Sequence, residues 1–300
     1  TWTEVERVRI AAHPELLADL EDALAPPPEP SAEQKKFQRE EAAWKAEAAR
    51  QEERNKQAWL ELRDKLCACP DMLKDASLLT EWSGQVNLFD LSRWLKVAKQ
   101  PGEREGSSSK WQRLASPFSP AVAEAYRDGM CLVWRLLPPV RPTRKGTGSR
   151  RLYTSGLAFD GLLLEASLGP NWHVHLSDEL IEQAVRHVCL GEEAIPEFFG
   201  ALVETHRELS VPIIEEALAH EWALPNEFGA FLMNHVAYDN GPLVRHVVGL
   251  LLTHLAGTPP GHENRCGLAV RILARAVLGP SERAALLAML GAEEAPSGNW

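Results

Sequence analysis

Of all the patterns in this sequence, that of three histidines is most similar to a metal-binding site. His173 and His175 alternate around Val174, and His187 follows twelve residues later. Alternate histidines on a strand can hold a divalent metal through their imidazole nitrogens. Here the pair directly precedes Ser177, a helix-capping residue, which indicates a loop and not a strand. We therefore expect no bound metal and no cofactor, and a metal-dependent enzyme centred on His173 and His175 remains an alternative.

Other side chains of the catalytic types lack the spacing that catalysis needs. A carboxylate and histidine cluster occurs at Glu215, Glu216, His220 and Glu221. It matches neither the HExxH nor the ExxH spacing of helical metal sites, and a solvated helix face is the preferred interpretation. Cys67 and Cys69 have no second cysteine pair with which to complete a zinc site. The sequence also lacks a nucleophile elbow and a glycine-rich phosphate loop, so we predict no catalytic residues and no enzymatic activity.

A concentration of positive charge is the most informative local feature. No acidic residue occurs between Asp128 and Asp160, whereas the residues from 141 to 151 include five basic ones: Arg141, Arg144, Lys145, Arg150 and Arg151. Pro142, Gly146 and Gly148 predict a flexible loop here. These five residues are the predicted partner-binding site. An acidic protein surface is the expected partner, nucleic-acid phosphates are the alternative, and a solvated linker is the simplest interpretation.

The overall composition narrows the function further. The 300 residues carry a net charge of -10, which argues against a general nucleic-acid binder. The longest apolar run, Val247 to Leu252, is too short to span a bilayer. Five cysteines, an odd number, favour reduced thiols in a cytoplasmic protein. Methionine removal and excision from a longer protein both explain why the chain opens at Thr1, and the opening and closing stretches favour a fragment or subunit.

The amino-terminal part predicts two helices of different character. Residues 4–24 have an amphipathic pattern that ends at the proline-rich run 25–30. The pattern of residues 31–66 then predicts one long charged helix, capped by Ser31. Its eight acidic residues and nine basic residues nearly cancel in charge. Its apolar residues are sparse and form no strict heptad, although six tryptophans of the chain, Trp44 among them, have the spacing of core residues. A solvated arm is favoured over a dimerisation helix.

From 194 to 290 the pattern predicts helices in pairs. Pro196 opens the first helix, and Ser210 caps the second with Pro212 in its first turn. A helical apolar stripe follows at Phe228, Phe231, Leu232, His235 and Val236, and then a turn at 239–241. The helix from Leu243 to Leu255 is apolar almost all round, so Leu250 and Leu251 should be deeply buried. The pairs recur roughly every 30 to 40 residues, as helical-hairpin repeats do.

The predicted fold is therefore all-α, with an extended charged helical arm and an array of antiparallel helix pairs. The array is either a HEAT-like α-solenoid or a multi-helix bundle. The predicted divisions are an amino-terminal helix and arm at 1–70, a helical subdomain at 71–140, a basic flexible loop at 141–155 and a repeat array at 156–292. Repeat arrays offer long surfaces for protein partners.

A family resemblance rests on the segment 111–142, which has the spacing A-x-x-x-G-x-x-x-x-W-R-x-x-x-P. The residues that define it are Ala125, Gly129, Trp134, Arg135 and Pro139. The helical segments 156–188 and 195–222 follow it in order. Together they resemble the carboxy-terminal helical region of large bacterial STAND-type NTPases, which are similar to NLR receptors and linked to antiphage defence. The resemblance implies a sensor or scaffold role beside an NTPase that lies upstream. This chain lacks the G-x-x-x-x-G-K-[ST] loop, so the resemblance implies no nucleotide activity for it. We expect a non-enzymatic interaction module of such a defence protein.

Overall fold

The computed structural model describes residues 31–98, 109–140, 149–191, 194–225, 229–238, 243–257 and 259–290. Twelve α-helices and two short 3₁₀ helices form the regular structure of these residues, and none of them lies in a strand. The all-α prediction is confirmed. In the same residues, no helix combines the length and the apolar character that a membrane span requires.

The helices are α1 (Ala32–Ala68), α2 (Ala76–Leu79), α3 (Trp82–Val97), α4 (Pro120–Leu136), α5 (Ser149–Ser167), α6 (Asp178–Leu190), α7 (Phe199–Thr205), α8 (Arg207–Ala223), α9 (Phe231–Tyr238), α10 (Val244–Gly257), α11 (Asn264–Arg275) and α12 (Pro280–Leu290). The 3₁₀ helices are Pro70–Leu73 and Trp111–Ala115. The chain divides into two compact units, residues 1–61 and residues 62–300.

The described part of the first unit is the charged portion of α1, and the predicted long helix is confirmed. Ser31 and Gln34 form a reciprocal capping box: the Gln34 N–H donates to the serine hydroxyl at 3.2 Å, and the Ser31 N–H donates to the glutamine carbonyl at 2.8 Å. Glu41 and Lys45 pair at 2.6 Å, one helical turn apart. Trp44 is 71% exposed, so its predicted core position is wrong.

Helix α4 lies close to α5 and to the 3₁₀ helix Pro70–Leu73 because glycines stand at both contacts. A Cβ at Gly161 in α5 would lie 2.3 Å from the carbonyl oxygen of Met130 in α4. A Cβ at Gly129 in α4 would lie 2.0 Å from the carbonyl oxygen of Leu73. Neither distance is possible for a real side chain, so these two positions require glycine. Ser119 caps α4, because its hydroxyl accepts from the Val122 N–H at 3.2 Å.

One contiguous apolar core extends from Trp134 in α4 to Leu273 in α11. The predicted helices of this region are present, but one of them begins at a different residue from the one predicted. Helix α8 begins at Arg207, directly after His206, so Ser210 and Pro212 lie inside it. Ser210 is fully buried and caps nothing. The proline removes one backbone hydrogen bond, and burial of Ile213, Ile214 and the residues that follow compensates for that loss.

The apolar helix near the end of the array is α10, and its predicted burial is half correct. Leu251 is buried, whereas Leu250 is only half-buried at the edge of the core. The predicted helix 4–24, Phe228 and the turn at 239–241 lie outside the described residues.

Candidate functional site

The predicted partner-binding residues fall on both sides of the start of α5. Arg141, Arg144 and Lys145 lie outside the described residues. Arg150 and Arg151 lie in the first turn of α5, which begins at Ser149. The residues 149–155, assigned above to a flexible loop, are therefore helical, and that part of the loop prediction is wrong.

Aromatic packing gives a physical reason for the longer helix. The ring of Tyr153 lies edge-on to Phe89, with centroids 5.0 Å apart, and 6.3 Å from the ring of Trp82. Both partners belong to α3, so this contact fixes α5 one turn after its start. Tyr153 is still 45% exposed and presents an aromatic surface two residues after Arg151.

The position of the two arginines is electrostatically unfavourable for the isolated chain. The N-terminal turn of a helix carries partial positive charge from its unpaired N–H groups, and it favours anions. The first turn of α5 contains no acidic residue. The sequence supplies two arginines and no carboxylate to a turn that favours negative charge.

The preceding helix, α4, ends in a network of side-chain hydrogen bonds. The Gln183 amide donates to the carbonyl oxygens of Trp134 at 2.7 Å and Leu137 at 2.9 Å. The His187 Nε2 lies 3.1 Å from the same two oxygens. Because both partners are acceptors, Nε2 must carry the hydrogen. Two residues of α6, one turn apart, thus cap the carboxyl end of α4.

Burial sets the protonation state of His187. The imidazole lies in the core beside Trp134, with ring centroids 6.4 Å apart. Removal from water lowers the pKa of His187 to about 4, against the smaller opposite effect of the two carbonyl oxygens. The ring is therefore neutral near pH 7 and serves as a structural donor.

Glu165 of α5 ties the same end of α4 to the next helix. Its carboxylate accepts from the Trp134 indole N–H at 2.6 Å and also pairs with the Arg135 guanidinium. Arg135, which lies in the acid-free stretch between Asp128 and Asp160, is thus neutralised within the fold. An open cleft of about 290 Å³ lies beside it, between the end of α4 and α6. Its lining carries both signs of charge: Arg135, Glu179, Glu182 and Arg186.

The structure separates the two histidines of the metal pattern. His173 is buried and its Nδ1 lies 3.2 Å from the Nε2 of His206, so one ring donates to the other. His175 is exposed. Burial, and then the neighbouring His206, lower the pKa of His173. Across the described ranges, no three histidine, cysteine or acidic side chains are grouped as metal ligands.

Glu221 is the one member of the carboxylate cluster that is buried, and it binds the start of α9. Its two carboxylate oxygens accept from the N–H groups of Leu232 and Met233, both at 2.9 Å. Burial raises the pKa of Glu221 to about 7, although these N–H groups and Arg265 oppose the shift. Arg265 is also buried, and its Nε donates to the backbone oxygen of Glu221 at 3.0 Å.

Sequence reasoning missed the residues that hold the helix ends together. His206, Glu165 and Arg265 have no local motif, because their partners lie 30 to 44 positions away in the sequence. Gln183 and His187 did carry a signal. Both are polar, one turn apart, on the face of α6 that also contains the buried Ala184 and Val188. Polar residues on a buried face indicate a backbone partner.

Comparison with protein-family models, with curated proteins and with solved structures finds no match to the chain.

Proposed function

We propose that this chain is a non-enzymatic interaction module that binds an acidic protein surface through its basic segment, residues 141–151. The observation that carries the proposal is the position of Arg150 and Arg151 in the first turn of α5. Positive charge there is unfavourable without a bound anion. By the resemblance described above, the module belongs to a larger bacterial NTPase-type defence protein, as a part or a subunit in the cytoplasm.

The chemistry of the buried polar residues supports a scaffold role. His187 and Gln183 close the end of α4, and Glu221 closes the start of α9. Each of these groups has backbone partners within its own fold. Their hydrogen bonds hold α6 against α4 and α8 against α9, and a preformed binding surface requires such fixed positions.

A second candidate function is a nucleic-acid contact, and the exposed Tyr153 favours it. A base can stack on an aromatic ring while nearby arginines bind phosphates. Tyr153 follows Arg151 by two residues and is 45% exposed. The net charge of -10 opposes this alternative, because the remainder of the molecule repels a polyanion.

The proposal is tested by reversing four charges: Arg144→Glu, Lys145→Glu, Arg150→Glu and Arg151→Glu. The matched control reverses four cations of α1, namely Lys36, Arg39, Lys56 and Lys65. Proteins bound to the wild-type chain are isolated from the source cells by affinity purification, and the association rate of the recovered partner is measured across a salt series. We expect the first variant to bind more slowly, and the control to behave like wild type.

The same four reversals provide their own folding check. Glutamates at positions 150 and 151 would favour the N-terminal turn of α5 by about 0.3–1 kcal/mol each. The variant should therefore be at least as stable as wild type while it binds less well. Unchanged partner kinetics would reduce the segment to a linker. Salt-sensitive binding of duplex DNA that the variant loses would place the nucleic-acid function first.

A further inference from the structure

Charge is distributed unevenly over the second half of the chain. Residues 177–223 contain eleven acidic residues and two arginines. Residues 243–290 contain five arginines, two glutamates and neither lysine nor aspartate. The first stretch includes α6, α7 and α8, and the second includes α10, α11 and α12. One molecule thus carries opposite net charge on successive groups of helices.

The outward side of α11 combines apolar surface with positive charge. Asn264, Gly267, Val270, Arg271 and Ala274 are all exposed there, and none is acidic. The guanidinium of Arg271 lies 4.3 Å from the centroid of the Tyr238 ring, a cation–π contact. Tyr238 is 58% exposed and Val270 is 49% exposed. We name Tyr238, Val270 and Arg271 the basic face.

This composition differs from that of a helix that faces only water. A solvated face normally carries glutamate and lysine, whereas this one presents valine, tyrosine and arginine. Tyrosine and arginine are among the residue types that dominate binding energy at protein interfaces. The cation–π contact also holds Arg271 in one position, so less side-chain entropy is lost on binding.

The outward side of α8 has the complementary character. Glu208, Pro212 and Glu215 are exposed and lie on one side of the helix, spaced by four and three residues. The neighbouring Glu216 already pairs with Arg186 at 3.0 Å. We name Glu208, Pro212 and Glu215 the acidic face. It places an apolar ring between two carboxylates, as the basic face places a valine beside an arginine.

The two faces cannot satisfy each other within one molecule. Arg265 of α11 donates to the backbone oxygen of Glu221 in α8, so the two helices are joined through the core. Their outward sides both remain exposed. We propose that the basic face of one copy of this chain binds the acidic face of a second copy.

Such an interface is heterologous, because two different patches meet. The bound pair keeps one unused face of each kind, so copies add head to tail into a ring or a chain. A second copy is the favoured occupant because this chain itself carries the complementary charge. The association should weaken as the salt concentration rises. The Debye screening length falls from roughly 30 Å at 0.01 M to roughly 3 Å at 1 M ionic strength.

The test is sedimentation velocity of the full chain under reducing conditions, which exclude cross-links through the exposed Cys67 and Cys69. At low ionic strength the sedimentation coefficient of wild type should rise with concentration, and at high ionic strength it should fall to that of a monomer. A basic-face variant, Tyr238→Ser with Arg271→Ser, and an acidic-face variant, Glu208→Gln with Glu215→Gln, should each be monomeric alone. A control with Glu52→Gln and Glu53→Gln, on exposed positions of α1, should associate like wild type.

Mixing the two variants distinguishes an interface from a folding defect. Each variant retains the face that the other lacks, so an equimolar mixture should form a one-to-one dimer and nothing larger. Three results would overturn the proposal: a monomeric wild type at low ionic strength, association that persists in both variants, or variants that do not pair when mixed. The basic segment 141–151 is unchanged in every protein, so the outcome is independent of the function proposed above.

Discussion

At the scale of single residues, two buried groups titrate in ways that their environments determine. Glu221 and His187 both lie in the apolar core and both bind backbone groups at helix ends. Burial disfavours the charged form of each, so the pKa of the acid rises and the pKa of the imidazole falls. Their contributions to stability therefore depend on pH in opposite directions.

The first prediction concerns Glu221→Gln. The pKa of Glu221 is about 7 in the folded chain, above its ordinary value of 4.5. A raised pKa gives a stabilising contribution that is complete below 4.5 and lost as pH rises through about 7, by about 3 kcal/mol in total. Glutamine does not titrate. Denaturant unfolding of wild type and variant at a series of pH values should show that the variant lacks this loss. Parallel pH profiles for the two proteins would contradict the prediction.

The second prediction concerns His187→Gln, which keeps an N–H donor for the carbonyl oxygens of Trp134 and Leu137. The pKa of His187 is about 4 in the folded chain, below its ordinary value of 6.5. The contribution is therefore present above 6.5 and lost as pH falls towards 4, again by about 3 kcal/mol. Between neutral pH and mild acid, the free energy of unfolding should therefore fall less for the variant than for wild type. His175→Gln, at an exposed position, is the control for the exchange of a histidine for a glutamine.

The histidines also show how much of the site could be predicted from the sequence. The histidine pattern drew attention to three residues, but only the fold could show that His175 is exposed while His173 and His187 are buried with different partners. Their hydrogen bonds join residues 33 to 53 positions apart. A single sequence contains no record of such pairings, because any apolar helix face can accommodate a polar residue that finds a backbone partner.

At the scale of the elements, local signals predicted helix starts well when a capping side chain was present. Ser31 and Ser177 both cap helices in the structure, because each hydroxyl accepts an N–H from the first turn. Ser210 has the same local signal, yet it lies inside α8. There, burial of the apolar residues that follow Pro212 outweighs the cost of the proline. Tertiary packing therefore determines where α8 begins, and the local sequence pattern does not predict that position.

The third prediction compares two glycines in helices. A Cβ at Gly161 would collide with the Met130 carbonyl, whereas a Cβ at Gly249 in α10 would have no atom within 4 Å. Gly161→Ala should force α4 and α5 apart and cost about 1–3 kcal/mol, as overpacking does. Gly249→Ala should stabilise the chain by about 0.5–1 kcal/mol, because alanine favours the helix. Thermal unfolding of both variants provides the measurement, and a neutral Gly161→Ala would show that α4 and α5 are not packed at this point.

At the scale of the whole molecule, residues 62–290 admit two descriptions that the sequence also left open. The contiguous core from Trp134 to Leu273 is what a single bundle would have. The hydrogen bonds at helix ends join α6 to α4, α8 to α9, and α11 to both α8 and α9. The bonds of α9 to α8 and to α11 join adjacent helix pairs, as in an array in which each repeat contacts only adjacent repeats. The bond of α11 to α8 passes over the pair α9 and α10, as in a bundle.

The last prediction separates these two descriptions with Leu251→Ala. Leu251 is buried in α10, which packs against α8, α11 and α12. Its truncation should cost about 2–5 kcal/mol by leaving a cavity, while Leu250→Ala, at a half-buried position, should cost less. In an array the loss stays local. Hydrogen exchange measured by mass spectrometry should then accelerate in α8 to α11 and remain at the wild-type rate in α3 and α4. Equal acceleration in all these helices would instead show one cooperative bundle, in which the coupling that Gln183 and His187 provide between α4 and α6 transmits the whole loss.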